Sequence, residues 1–394
     1  MKTVKSNNLR MAFCAAVVLF LSTSVVFSQP PDNAALLYYQ AFLLYEKPDA
    51  TMDKMLSDFL DDKIMSNEVI EQYIEKNRKV LKLLITAADT PNCDWGYDYS
   101  QGFELMMPNL AQLRQATYLI QTEAKLLAEQ GDYSTALERC LSMHKTALHA
   151  ADRTLVSYLV AIAISALANG SIQDILADMP GDLEVLNRLK GQLNHINNKF
   201  PPLRDCIVYE GEMCAETMRK EKAQALVEMA SGEEGGLSTD AVELILSADE
   251  EFFKRNRDYW YRSIAALEAT LELGLPYPQT YVELGELVKK TEREADENPD
   301  ATLTAMSLPA VNKIYSLAVR RKTHLNAVIA AIDICIIKAK AGRLPDTLPA
   351  GLPKDLFSDK DFEYEKTDAG FVLRCQGKNL ARNEVHEYEF KVTK

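Results

Sequence analysis

The side chains best able to do chemistry lie together in one segment, Cys93-Asp94-Trp95-Gly96-Tyr97-Asp98-Tyr99-Ser100-Gln101-Gly102-Phe103. It holds one of the chain's 2 tryptophans beside tyrosines, carboxylates and a cysteine. Exposed Trp and Tyr rings stack on sugar or peptide ligands, and nearby carboxylates accept their hydroxyl or amine protons. One reading is therefore a ligand groove lined by Trp95, Tyr97 and Tyr99, with Asp94 and Asp98 as polar anchors. The other is a long connection pinned into the fold by its own aromatics, with Asp94 as a cap and the glycines allowing tight turns. A loop of this length needs apolar anchors to stay ordered. Asp94, Asp98 and Glu104 also admit a pair of acids on either side of a glycosidic bond, although spacing within a loop does not fix a separation in space.

A second cluster is helical. Cys140 precedes His144 by four residues, so the two share a face, whereas His149 does not share one with His144. A thiol nucleophile or metal ligand needs a third, orienting group. None is visible, so the pair reads as a core cysteine beside a surface histidine. His195, His324 and His386 stand alone. No metal or cofactor site is expected. G-x-S-x-G, H-E-x-x-H, Walker A and G-x-G-x-x-G motifs are missing from the sequence. No residue earns a catalytic assignment, and whether the chain is an enzyme stays open, leaning towards not.

The elements that must hold these residues are helices. From Asn33 to Gly342 the apolar residues recur at helical spacing. The spacing predicts helices over Ala34–Tyr45, Ser66–Ala88, Asn109–Gln130, Tyr133–Ala151, Arg153–Met179, Leu183–Asn197, Leu203–Met229, Ser238–Leu273, Tyr281–Glu294 and Val311–Ala341, with Ser66 as an N-cap. Leu155–Leu167 is too short and too interrupted by Ser157 and Ser165 to span a bilayer, and reads as core. Ser231–Gly236 is the most flexible-looking stretch. After Gly342 the period changes to two. Phe362–Lys366, Gly370–Gln376 and Glu384–Val392 form an antiparallel sheet packed on the last helix. The fold class is mainly α: a stack of antiparallel helical hairpins over 29–342 and a small β unit over 343–394.

The turn Ala128, Gly131-Asp132-Tyr133, Ala136-Leu137 resembles that of a tetratricopeptide repeat, but no copy occurs a repeat length away. The long helix followed by Gly342-Arg343-Leu344-Pro345, Asp355-Leu356-Phe357, Phe362-Glu363-Tyr364 and Gly370-Phe371-Val372-Leu373 resembles the helix-plus-sheet end of type II secretion pseudopilins. Pseudopilins carry their helix at the N-terminus, so the resemblance implies a compact module and not a pilus subunit. Over most of its length the chain resembles a group of uncharacterised exported bacterial helical proteins. The Cys93–Asp98 loop, Met107-Pro108-Asn109-Leu110, Leu113-Arg114 and Gly131-Asp132-Tyr133 carry that likeness. It implies a single ordered architecture and no particular activity.

Lys2, Lys5 and Arg10 precede an apolar run, Met11–Phe27, and Val26 and Ser28 suit signal peptidase. Cleavage is expected between Ser28 and Gln29, which places the mature chain in the periplasm or outside the cell. A retained N-terminal anchor is the alternative. Losing those three cations takes the formal charge from −13 to −16. So acidic a chain disfavours nucleic acid and anionic membrane surfaces. Cys93, Cys140, Cys206, Cys214, Cys335 and Cys375 remain after cleavage. Cys206 and Cys214, eight apart on one helix, are about 12 Å apart along its axis, too far to bridge. Most of the six read as buried thiols, with one long-range disulfide involving Cys93 left open. The expectation is an exported, non-catalytic helical scaffold or binding protein whose partner is a protein or extended ligand. An envelope glycan hydrolase and a structural envelope component are the alternatives.

Overall fold

Capping residues set most of the helix boundaries in the computed structural model, which describes residues 32–230 and 239–392. The expected signal peptide and the Ser231–Gly236 stretch lie outside the described residues. Asp32 aside, these residues belong to one unit, Asn33–Lys394. The chain is mainly α-helical, with a three-stranded antiparallel sheet at its C-terminal end.

Asn33 caps α1 (Ala34–Leu44), and Asp49 caps α2 (Ala50–Leu60) by accepting from the Met52 amide. Hydrophobic spacing did not separate α2 from its surroundings; the Pro48-Asp49 start signal marks it. The helix expected over Ser66–Ala88 is two helices, α3 (Glu68–Lys76) and α4 (Arg78–Asp89), and Asn67, not Ser66, is the cap. The break is Asn77. It is fully buried, and its side chain donates to the carbonyls of Glu46 and Tyr73 while accepting from the Glu46 amide. Asparagine competes with the helix for backbone partners, and here that competition ties the α1–α2 connection to the break.

A hairpin follows, α5 (Pro108–Glu129) and α6 (Tyr133–Ala150). Gly131, at φ 82°, closes α5: its amide reaches the Ala128 carbonyl at 2.9 Å and the Asp132 amide reaches Leu127, also at 2.9 Å. These are the two bonds of a Schellman turn. Asp132 then caps α6 by accepting from the Thr135 amide. Arg139 of α6 meets the buried Glu123 of α5 at 2.5 Å.

Helix α7 (Leu155–Asp178) starts at Thr154, and α8 (Leu183–Lys199) starts at Asp182. Among the described residues α7 alone is long and apolar enough to cross a membrane, and 61% of its apolar window is buried in the protein. The expected helix over Leu203–Met229 stops at Ala215 and resumes as α10: α9 is Leu203–Ala215 and α10 is Ala223–Ala230. Likewise Ser238–Leu273 divides into α11 (Thr239–Ser247) and α12 (Glu250–Glu272), because Asp249 caps the second piece. The helix expected from Tyr281 starts earlier, as α13 (Tyr277–Ala295), with Pro276 and Pro278 at its entry, since the first turn has no use for the missing N–H. After the short α14 (Thr302–Ser307), α15 runs Val311–Ala341 and ends on Gly342 at φ 73°.

Two apolar cores result. One gathers Tyr38, Phe59, Leu113, Ile120, Ile164 and Ile332. The other gathers Leu203, Ile207, Phe253, Trp260, Leu284 and Leu303. Helices α7 and α15 belong to both: Leu155, Tyr158, Val311 and Ile314 sit in the second, and Ala168, Ile172, Leu325 and Ile329 in the first.

The sheet has the order β1 (Glu363–Lys366), β2 (Gly370–Asn379), β3 (Glu384–Lys391). Phe371, Leu373, Tyr388 and Phe390 alternate inward and join the first core. Tyr388 stacks on His324 of α15 at 4.8 Å, and Gln173 of α7 donates to the Glu389 carbonyl. The loop ahead of the sheet folds around Asp355, a fully buried carboxylate that accepts from the amides of Phe357, Gln376 and Gly377 and from the Ser358 hydroxyl.

Candidate functional site

The segment between α4 and α5 is held at both ends. Asn33 and Asp94 exchange two hydrogen bonds, Asn33 Nδ2 to the Asp94 carbonyl at 2.8 Å and the Asp94 amide to Asn33 Oδ1 at 2.9 Å. The Trp95 ring then enters the first core. It is 6% exposed, stacks on Tyr38 at 5.4 Å, meets Tyr39 edge-on at 5.7 Å, and donates Nε1–H to the His149 carbonyl at 2.8 Å. Tyr97 donates to Asn109 Oδ1 at 2.8 Å, and Tyr99 donates to the Asp152 carboxylate. Tyr99 also meets Tyr209 edge-on at 5.3 Å, and the Arg153 guanidinium lies 4.9 Å from the Tyr209 centroid.

The far end of the segment reaches the second core. Phe103 packs on Trp260 at 6.2 Å. Gly102, at φ 55°, lies so close to Thr217 that a Cβ there would sit 2.1 Å from its methyl group. The segment is thus a strap fastened to both cores.

These placements correct the picture of Trp95 as an open platform, because Tyr38 already occupies its face. Tyr97 and Tyr99 are half-buried with their hydroxyls engaged; Asp94 and Asp98 are exposed. Asp94 accepts from the Gly96 amide, and Asp98 accepts from the amide and hydroxyl of Ser100. Those bonds hold the Asp98 carboxyl below its usual range. Glu104 is ion-paired with Lys222. His144, expected at the surface, is buried, and Cys140 beside it is buried too. All six described cysteines are free thiols.

Beside the strap lies a cleft of about 490 Å³. Its wall draws Asp89 and Thr90 from the end of α4, Cys93 from the strap, Lys145 and His149 from α6, Asp152 beyond it, and His195 and Lys199 from α8. Lys145 is paired with Asp89 at 2.6 Å. His195 and Lys199 are exposed and make no ion pair among the described residues. The Cys93 thiol is pushed up to about 12, first by burial and then by Asp152 and Asp94. His149 is pushed down to about 4 by burial, its Nδ1 lying 3.0 Å from the Tyr38 hydroxyl. A protonated thiol beside a neutral, engaged imidazole is the reverse of an activated thiolate pair. No group of three or more His, Cys, Asp or Glu side chains among the described residues is arranged to hold a metal ion.

The cleft was not legible in the sequence. Its residues come from three separate stretches, and no spacing relates Cys93 to His195. Comparison with family models, curated proteins and solved structures returned no match to the chain.

Proposed function

We propose that the chain is an exported, non-catalytic helical binding protein of the cell envelope, and that the cleft between α4, α6 and α8 is where it holds its partner. The observation that carries this reading is the cleft wall: Lys199, with no ion-pair partner among the described residues, and the imidazole His195 stand beside a balanced Lys145–Asp89 pair, while the Asp152 carboxylate is engaged by the Tyr99 hydroxyl. Such a wall suits a polar, acid-bearing end of a protein or extended ligand. The thiol and imidazole present are held in their unreactive forms, which favours binding over turnover. The strap carboxylates are committed to turns and an ion pair, so no observation favours the hydrolase.

The test immobilises mature protein, starting at Gln29, and identifies what it retains from native envelope extract. Doubly substituted His195→Ala, Lys199→Glu protein should lose the retained species with its melting temperature unchanged, because both side chains are exposed. Equal retention by both proteins would overturn the assignment of the cleft.

A further inference from the structure

Where α6, α7, α8 and α15 meet, the core holds a cation with no acid to match it. Arg321 of α15 is 8% exposed and forms no ion pair among the described residues. Its guanidinium lies 3.7 Å over the Phe200 ring, Nη2 reaches Asn197 Oδ1 only at 3.5 Å, and Nε has no partner. His144 of α6 is 1% exposed with Nε2 unpartnered, and Asn169 of α7 is fully buried with neither amide atom in a well-formed hydrogen bond. The Asn169 amide lies within hydrogen-bonding reach of the His144 ring, and the Arg321 charge acts on that ring through space, so the three helices turn these groups towards one neighbourhood. His324, one turn along α15 from Arg321, adds another unpartnered ring nitrogen.

An unpaired buried guanidinium is costly, and buried polar groups normally find partners. The chain has 57 acidic residues against 44 basic ones, yet among the described residues none forms an ion pair with Arg321, whose ionisable neighbour is the Tyr158 hydroxyl. Bound water would satisfy the N–H groups but leave the charge uncompensated. We propose that this junction is an internal site for a small inorganic anion, chloride in the simplest case, held by Arg321 with His144 and Asn169. The anion serves as the counter-ion that the sequence does not supply.

The test follows thermal unfolding of the mature protein as sodium chloride replaces sodium gluconate at constant ionic strength. The wild type should be stabilised saturably, by about 4 °C at a hundredfold excess of chloride over its Kd. It should also broaden the ³⁵Cl resonance. Asn169→Asp supplies a carboxylate in place, so this variant should melt in gluconate no lower than the wild type and show no chloride response. Arg321→Met should lose the response as well. A wild type with no saturable chloride effect, or an Asn169→Asp variant that keeps the full effect, would overturn the proposal and leave water as the partner.

Discussion

Replacing Trp95 with Ala separates the two meanings of the strap. The ring is 6% exposed, stacked on Tyr38 and bonded to the His149 carbonyl. Truncating a buried Trp costs about 3 to 5 kcal/mol, a range that already includes the cavity left behind. With about 350 described residues and an unfolding entropy near 2.1 cal/mol/K per residue, a loss of about 4 kcal/mol lowers the melting temperature by about 5 °C. Trp95→Phe keeps most of the stack and gives up the indole hydrogen bond. It should cost about 1 to 2 kcal/mol, or about 2 °C. Differential scanning calorimetry of the protein reads both. A ring that served only to meet a ligand would leave the melting temperature where it was. A fall of less than about 1 °C in Trp95→Ala would therefore refute the placement of this side chain as a wedge.

Asp355→Asn should destabilise by about 3 kcal/mol, because an amide NH₂ must face donors that a carboxylate oxygen accepts from. Calorimetry and faster exchange of the Gln376 and Gly377 amides would register it, and an unchanged protein would discount the carboxylate's role. Stability should also fall as the pH drops from 6.5 towards 4. His149 and His324 are pushed down to about 4 in the fold, against 6.5 when free, so the unfolded chain takes up protons first. The loss should be on the order of 1 kcal/mol per pH unit for each ring, followed by urea unfolding between pH 7.5 and 5; a flat profile would contradict their burial.

Much of the helical frame was legible because its signals are local. Asp132, Asp182 and Gly342 announce helix ends within a residue or two of where they fall. The breaks at Asn77 and Asp249 were not, since a buried asparagine or a mid-pattern aspartate leaves the hydrophobic period intact. The strap was visible as a composition, but its facing was not. A loop has no period to orient it, and the partners that turn Trp95 inward, Tyr38 and His149, lie more than fifty residues away on either side. The buried cation was invisible for the same reason: His144, Asn169 and Arg321 meet only after three helices have packed.

Surface connections usually accept extra residues, because nothing depends on their length. The stretch from Asn92 to Pro108 is different. Trp95 is seated at one end and Phe103 at the other, with Gly102 admitting no side chain between them. A single inserted residue there would pull one anchor from its socket or throw the other out of register. In this protein, then, the permissible length of a connecting segment is as tightly set as the identity of a core residue.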